Sequence, residues 1–159
     1  MHMRRKDREV TDLNEIIDII SRCEVIHLGL VDDGRPYIVP LSFAHEETNG
    51  QITFVFHSAA EGRKIDIMKR NPHACFEMEC SLKITRHEVL SKWSTEYESV
   101  MGYGEVEYIE NDSERKHTMD LLVKRYGYEG VPEYSPQIFA RTALYKLTVS
   151  EISGKRNVK

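Results

Sequence analysis

The spacing of hydrophobic residues changes period several times along the chain, and each change predicts an element. Leu13, Ile16, Ile17 and Ile20 recur at the i, i+3, i+4, i+7 spacing of one helix face, and Asp12 with Glu15 can cap that helix. From Val25 to Val31 the pattern turns to strand. Asp32-Asp33-Gly34-Arg35 then reads as a tight hairpin turn in which Gly34 supplies the positive φ, and Tyr37 to Ala44 returns as the partner strand. Pro40 removes a ladder donor there, so this segment is an edge, a bulge, or a place where something else approaches the backbone. Asn49-Gly50 signals a second hairpin, leading into Gln51 to His57. In that strand Ile52, Phe54 and Phe56 share one face, and Thr53, Val55 and His57 share the other.

A short helix is expected from about Glu61 and is stopped by Asn71-Pro72. His73 to Leu82 reads as strand, while Lys83 to Thr95, with the only tryptophan Trp93, reads as a loop or a helical turn. Tyr97 to Ile109 is a long strand through Gly102 and Gly104, which permit a barrel bend or a close backbone approach. Asn111 with Glu114 caps a helix carrying Met119, Leu122, Val123 and Tyr126. After a Gly/Pro loop from Gly127 to Pro136, Thr142 to Ile152 closes the chain as strand. Six antiparallel strands with three short helices predict a mainly β, β-rich α+β fold, a closed barrel rather than a parallel sheet.

Composition narrows the class. A chain of 159 residues fits one domain with a genuine core, residues 1–10 forming an N-terminal arm. Charged residues, 30% of the chain, are mixed in sign, and no repeat or low-complexity tract points to a solenoid or to disorder. No apolar run approaches the roughly 20 residues of a membrane span, and no apolar stretch follows the basic start, so a cytoplasmic protein is expected. A formal net charge of −4 argues against nucleic acid as a partner. The basic cluster Arg4 to Arg8, broken by Asp7, reads as a solvated arm. Cys75 and Cys80 stand five apart in one strand, on opposite faces, and no Cys-x-x-Cys or His pair has metal spacing. The expectation is three reduced core cysteines and no metal.

Two stretches carry candidate chemistry. In His57-Ser58-Ala59-Ala60-Glu61-Gly62-Arg63-Lys64 a strand ends, small residues turn the chain, and a helix starts with two cations. Cations are unfavourable at that positive end of the helix dipole unless an anion is present. A phosphate there would collect free N–H groups, the Ser58 hydroxyl and bonds from Arg63 and Lys64, with Glu61 facing away. The plain alternative is that both cations point into solvent. In Arg35 to Phe43 the strand with its internal proline either offers unpaired backbone to a planar ligand or is an edge protected by proline.

In order and spacing these segments resemble the pyridoxamine 5′-phosphate oxidase-like FMN-binding split barrels, most nearly the branch of the 5-nitroimidazole resistance proteins. The resemblance rests on the basic start, Gly34 to Pro40, His57 to Lys64, Asn71-Pro72, Cys75-Phe76-Glu77, Ser99-Val100-Met101-Gly102 and Ile152-Ser153-Gly154-Lys155, and covers nearly the whole chain. It implies FMN, rather than FAD or haem, in a groove between the two protomers of a homodimer. Ser58, Arg63 and Lys64 would hold the phosphate; Val39, Pro40, Leu41 and Ser42 would face the ring; His57 would lie beside the cofactor; Ser99 and Val100 would complete the site. The Arg- and Pro-containing C-terminal substrate motif of true pyridoxamine phosphate oxidases is not matched by Gly154 to Lys159, a departure that argues against vitamin B6 oxidation. Two functions follow: a flavin-dependent oxidoreductase acting on nitroaromatic or related small molecules, or a non-catalytic flavin or haem binder or sensor. His57 could serve as proton donor, as a hydrogen-bond partner, or as an ordinary strand-end histidine.

Overall fold

Two turns set the register of the sheet. Asp33 and Gly34 have φ of 48° and 80°, and Asn49 and Gly50 have 53° and 85°. Positive φ at both central residues is the twist-matched hairpin geometry. The computed structural model describes residues 3–158; Met1 and His2 of the expected arm, and Lys159, lie outside the described residues.

In chain order the elements are β1 (Glu9–Val10), α1 (Leu13–Arg22), β2 (Ile26–Asp32), β3 (Arg35–Leu41), β4 (Ala44–Thr48), β5 (Gln51–Ala59), α2 (Arg63–Arg70), β6 (His73–Thr85), β7 (Ser94–Tyr108), α3 (Asp112–Arg125), α4 (Pro136–Arg141) and β8 (Thr142–Asn157). All pairings are antiparallel, in the order β3-β2-β6-β7-β8-β5-β4, with β1 on β8. The strands at the two ends of that order, β3 and β4, are consecutive and joined only by Ser42 and Phe43. Leu41 and Ala44 are three residues apart and can stand at most about 11 Å from each other, so the sheet must roll until its ends meet. β3 and β4 do not pair, and the result is a split β-barrel.

The barrel interior holds Ile52, Phe54 and Phe56 with Phe43, Phe76 and Met78. Phe54 packs edge-on against Phe43 and Phe76 at centroid distances of 5.7 and 4.9 Å. Val55, on the other face of β5, is buried with Ala44, Leu144, Ile109 and Leu122 beneath α3. α1 closes one end of the barrel with Ile16, Ile19 and Ile20. Both expected caps form: Asp12 Oδ1 accepts from Glu15 N (3.1 Å), and Asn111 Oδ1 from Ser113 N and Glu114 N (3.0 and 3.1 Å).

Several expectations are corrected. The sheet has eight strands rather than six, because Tyr37–Ala44 divides at Ser42-Phe43 and because β1 forms within the expected arm. Backbone pairing of Glu9 and Val10 with Lys155 and Gly154, and burial of Val10, tie that arm down. A fourth helix, α4, occupies the end of the expected loop, fastened by Arg115, which donates to the Phe139 and Thr142 carbonyls (2.8 and 2.9 Å). The loop or helical turn expected over Lys83–Thr95 is found at residues 86–93, with a helical turn at Leu90–Lys92, but is shorter at both ends because β6 runs on to Thr85 and β7 starts at Ser94. Cys75 is exposed and Cys80 half-buried, so only Cys23 is a core cysteine. No helix among the described residues is long and apolar enough to cross a membrane.

Candidate functional site

Backbone left unpaired by the split defines a groove. β3 pairs only with β2, and the Phe56–Ala59 half of β5 pairs only with β8, because the β4 ladder stops at Ala44 opposite Val55. Extending that register carries Ser42 toward His57. The proline-bearing strand is therefore an edge strand, and Val39, Pro40, Leu41 and Ser42 run along the groove.

α2 starts at one end of this groove, and its start differs from those of the other long helices. Gly62 takes the N-cap position with φ 129° and ψ 165°, a conformation that favours glycine, and no side chain caps the helix. The Arg63 and Lys64 N–H groups have no protein acceptor among the described residues, whereas α1 and α3 are capped by Asp12 and Asn111. Arg63 lies over the Tyr37 ring (5.0 Å) and pairs with Asp32 at 2.9 Å; Arg70 pairs with the same carboxylate at 2.6 Å. One carboxylate shared by two guanidiniums leaves a surplus of positive charge. Lys64 adds to it, with no ion-pair partner among the described residues. Free amides, a helix dipole and surplus cations are what an anion needs.

Ser58 points to the barrel-interior side of β5, as Phe56 does, and its hydroxyl donates to the Ala59 carbonyl at 2.7 Å. Beneath α2 a cavity of about 110 Å³ is lined by Ile65, Met68, Lys69, Val106, Tyr108 and Tyr145. The Tyr145 hydroxyl there is buried with no hydrogen-bond partner of good geometry. Burial pushes its ionisation up, with the nearby Ser58 hydroxyl acting in the opposite direction. Two unsatisfied features thus lie close to the end of β5 in the chain or in space: the first amides of α2, which begins four residues after Ala59, and the Tyr145 hydroxyl beside Ser58.

The other expected residues are not gathered there. His57 follows the alternation of β5 onto the face shared by Val55, opposite Leu144, and is exposed. Ser99 lies on the outer face of β7, and the Val100 side chain is fully buried in the core, leaving no side chain for a ligand. Ser58 pairs with Ala143 and Ser99 with Lys155, positions twelve apart on β8. At about 3.3 Å per residue this is roughly 40 Å of strand.

Two features of the outer sheet face were missed in the sequence. A cleft of about 640 Å³ is lined by Gly29, Pro36, Ile38, Cys75, Tyr103 and Ser150, among others. Gly29 forms its floor, since a Cβ there would stand 2.5 Å from Cys75 Sγ. Beside the cleft, His27 Nδ1 lies 3.3 Å from Glu77 and 3.8 Å from Glu79. Among the described residues this is the trio whose ligand atoms come within 4.8 Å of one another, close enough to share a cation, although the histidines are scattered in sequence. Burial, and next Glu79, raise the Glu77 carboxyl to about 7, with His27 opposing. The signal for this face was present in part: Gly29, Val31, Cys75, Met101 and Tyr103 put apolar or small residues on the outward side of β2, β6 and β7, interrupted by His27, Glu77 and Glu79.

Residues 12–156 match the protein-family model described as Pyridoxamine 5′-phosphate oxidase. Among solved structures the chain is similar to a proposed 5-nitroimidazole antibiotic resistance protein from Bacteroides thetaiotaomicron VPI-5482. That pair is 29% identical over 92% of this chain and 85% of the other, with a TM-score of 0.81. It shares its fold with the flavocytochrome Anf3 from Azotobacter vinelandii (17% identity, 99% and 73% coverage, TM-score 0.81). The same holds for the FAD and heme binding protein from Mycobacterium smegmatis (19% identity, 96% and 74% coverage, TM-score 0.81). Among curated proteins nothing matches.

Proposed function

The chain belongs to the pyridoxamine 5′-phosphate oxidase family, and from that premise we propose that it binds FMN and acts as an oxidoreductase on nitroaromatic or related small-molecule acceptors. The observation that carries this reading is the start of α2: an uncapped helix N-terminus bearing Arg63 and Lys64 beside Ser58. A phosphate there accepts from the free amides, from Lys64 and from Ser58 once its hydroxyl turns from the Ala59 carbonyl. Arg63 contributes from its seat on Tyr37, where its second role is to fasten α2 to the β2–β3 hairpin through Asp32. The edge of β3 from Val39 to Ser42 presents backbone N–H and C=O groups to a flat polar ring. When bound, the flavin supplies the redox chemistry, and the protein's share is binding, orientation and exclusion of water.

FMN and riboflavin affinities of the Lys64→Ala and Arg63→Ala/Lys64→Ala proteins test the phosphate placement. FMN binding is expected to weaken by about 1.5–3 kcal/mol for each charge-assisted bond lost, tenfold or more, while riboflavin is nearly unaffected. Equal losses for both ligands would put the phosphate elsewhere, and FAD binding more tightly than FMN would replace the mononucleotide.

One observation favours a second reading, a flavin or haem holder without turnover: His57, the titratable side chain expected beside the ring, faces away from Ser58. The absorbance spectrum of the purified protein separates flavin bands from a haem Soret band. Anaerobic reduction of the bound flavin, followed by addition of a nitroaromatic acceptor, then separates turnover from storage.

A further inference from the structure

A different chemistry sits where the end of α1 meets β6. Cys23 terminates α1, fully buried, and its thiol donates to the Ile19 carbonyl at 3.2 Å. Cys80 enters from β6 and directs its sulfur at the same oxygen, 3.9 Å away. The two thiols thus converge on one carbonyl oxygen, close enough for each to feel the other electrostatically. β6 loses its register between Cys80 and Lys83, where Ser81 adopts φ 58°. Bulges of this kind re-aim side chains, and this one faces Cys80 and Ser81 toward Arg22. Arg22 Nη1 donates to Cys80 Sγ at 3.4 Å and to Ser81 Oγ at 3.0 Å.

The two sulfurs differ in access. Cys80 lines an open cleft of about 310 Å³ with Arg22, His27, Glu79 and Ser81, whereas Cys23 is closed off behind it. Burial pushes the Cys23 thiol up, and Cys80 adds to the effect. A small oxidant entering the cleft therefore meets Cys80 first, beside the Arg22 guanidinium that Asp18 and Glu98 hold in place, with Cys23 buried behind it. Cys75 lies on the outer face, away from this pair.

We propose that Cys80 and Cys23 form a peroxide-reactive dithiol site that closes to an intramolecular disulfide. The Cys80 sulfur attacks one peroxide oxygen and the O–O bond breaks. The departing oxygen takes up a proton as water or an alcohol, and Cys80 becomes a sulfenic acid. Arg22 pairs with the negative charge that the sulfur carries into this step. The Cys23 sulfur then attacks the Cys80 sulfur; the S–O bond breaks, the S–S bond forms, and the leaving hydroxide takes the Cys23 proton as water. Two thiols lose two electrons in all, and one hydroperoxide gains them. The product ties the end of α1 to the end of the regular part of β6.

The test uses the reduced full-length protein, a few equivalents of hydrogen peroxide, alkylation of remaining thiols, intact mass and non-reducing peptide mapping. The expected product has lost two hydrogens, contains a Cys23–Cys80 linked peptide and retains an alkylated Cys75. In Cys23→Ala, dimedone should trap a sulfenic acid at Cys80. Arg22→Gln should slow oxidation of Cys80 about tenfold, with Arg22→Lys restoring most of the rate. The same linkage should form much more slowly in urea-unfolded protein. Cys80 remaining reduced at a peroxide dose that oxidises Cys75 overturns the proposal, as does a linkage that forms no faster folded than unfolded.

Discussion

At the scale of single residues, the alternation of one strand decides which expected site residues can act together. His57 and Ser58 are neighbours in β5, so their side chains leave opposite faces of the sheet. Ser58 faces the interior beside Tyr145, while His57 lies on the Val55 side. A general acid must come within hydrogen-bond reach of the atom it serves, and help of that kind is worth about 10²-fold or more. The expected result for His57→Ala is therefore a rate of nitroaromatic reduction per bound flavin within a few-fold of wild type, with flavin affinity largely retained. A hundredfold loss of rate at full flavin occupancy would show that His57 swings round the strand end to the ring.

At the scale of elements, one buried carboxylate joins four of them. Glu98 of β7 accepts from Arg22 of α1, from Arg156 Nε of β8 at 2.6 Å and from Ser81 Oγ of β6 at 2.9 Å. The Arg22 hydrogen bond, followed by those of Arg156 and Ser81 against the cost of burial, holds the Glu98 carboxyl down at about 2. An unfolded chain releases that proton near the ordinary glutamate value, about 4.3. The folded state therefore binds fewer protons between the two values. The stabilisation is fully present above the unfolded value and is lost as pH falls toward about 2. Glu98→Gln should lower stability at neutral pH by about 1–3 kcal/mol and flatten the acid limb of the denaturation profile. Urea midpoints at pH 7 and pH 3 on both proteins check this; an unchanged acid limb would assign the pH dependence to other carboxylates.

The same elements show what sequence reading can reach. Caps and hairpins were legible because their signals are local: Asp12, Asn111, Asp33-Gly34 and Asn49-Gly50 act on their own backbone. The groove was half legible, through Pro40 and the two cations at the helix start. β1 was not, because Glu9 and Val10 are strand only by virtue of Lys155 and Gly154, far along the chain. α4 hid in a Gly/Pro stretch, although Ser135-Pro136 is a helix-start signal. The convergence of Cys23 and Cys80 on the Ile19 carbonyl, and of His27 on Glu77 and Glu79, arises from sheet pairing and helix packing that no spacing encodes.

At the scale of the whole molecule, the site that the family resemblance implies would need a second copy to be complete. Ser99 is separated from Ser58 by roughly 40 Å of β8, yet the family resemblance assigns both to one cofactor. A two-fold axis can bring the Ser99 of one protomer to the α2 groove of another, because an isologous contact uses the same patch twice. The outer sheet face supplies such a patch. Register places Ile38, Gly29, Cys75 and Tyr103 side by side across four strands, with Val31 and Met101 in flanking rows. Ile38 is 68% exposed and Tyr103 48%, apolar area that costs about 25 cal/mol per Å² to leave in water. The protein is accordingly expected to sediment as a dimer at micromolar concentration. Ile38→Glu should shift it to monomer without loss of fold, since that side chain touches solvent rather than core. FMN affinity should fall at least tenfold in the same variant, although no residue of the α2 start has changed. Circular dichroism confirms the fold, sedimentation velocity reads the assembly, and flavin fluorescence titration reads the affinity. Wild-type protein that stays monomeric with FMN bound would place the entire cofactor site within one chain and leave the outer face without this partner.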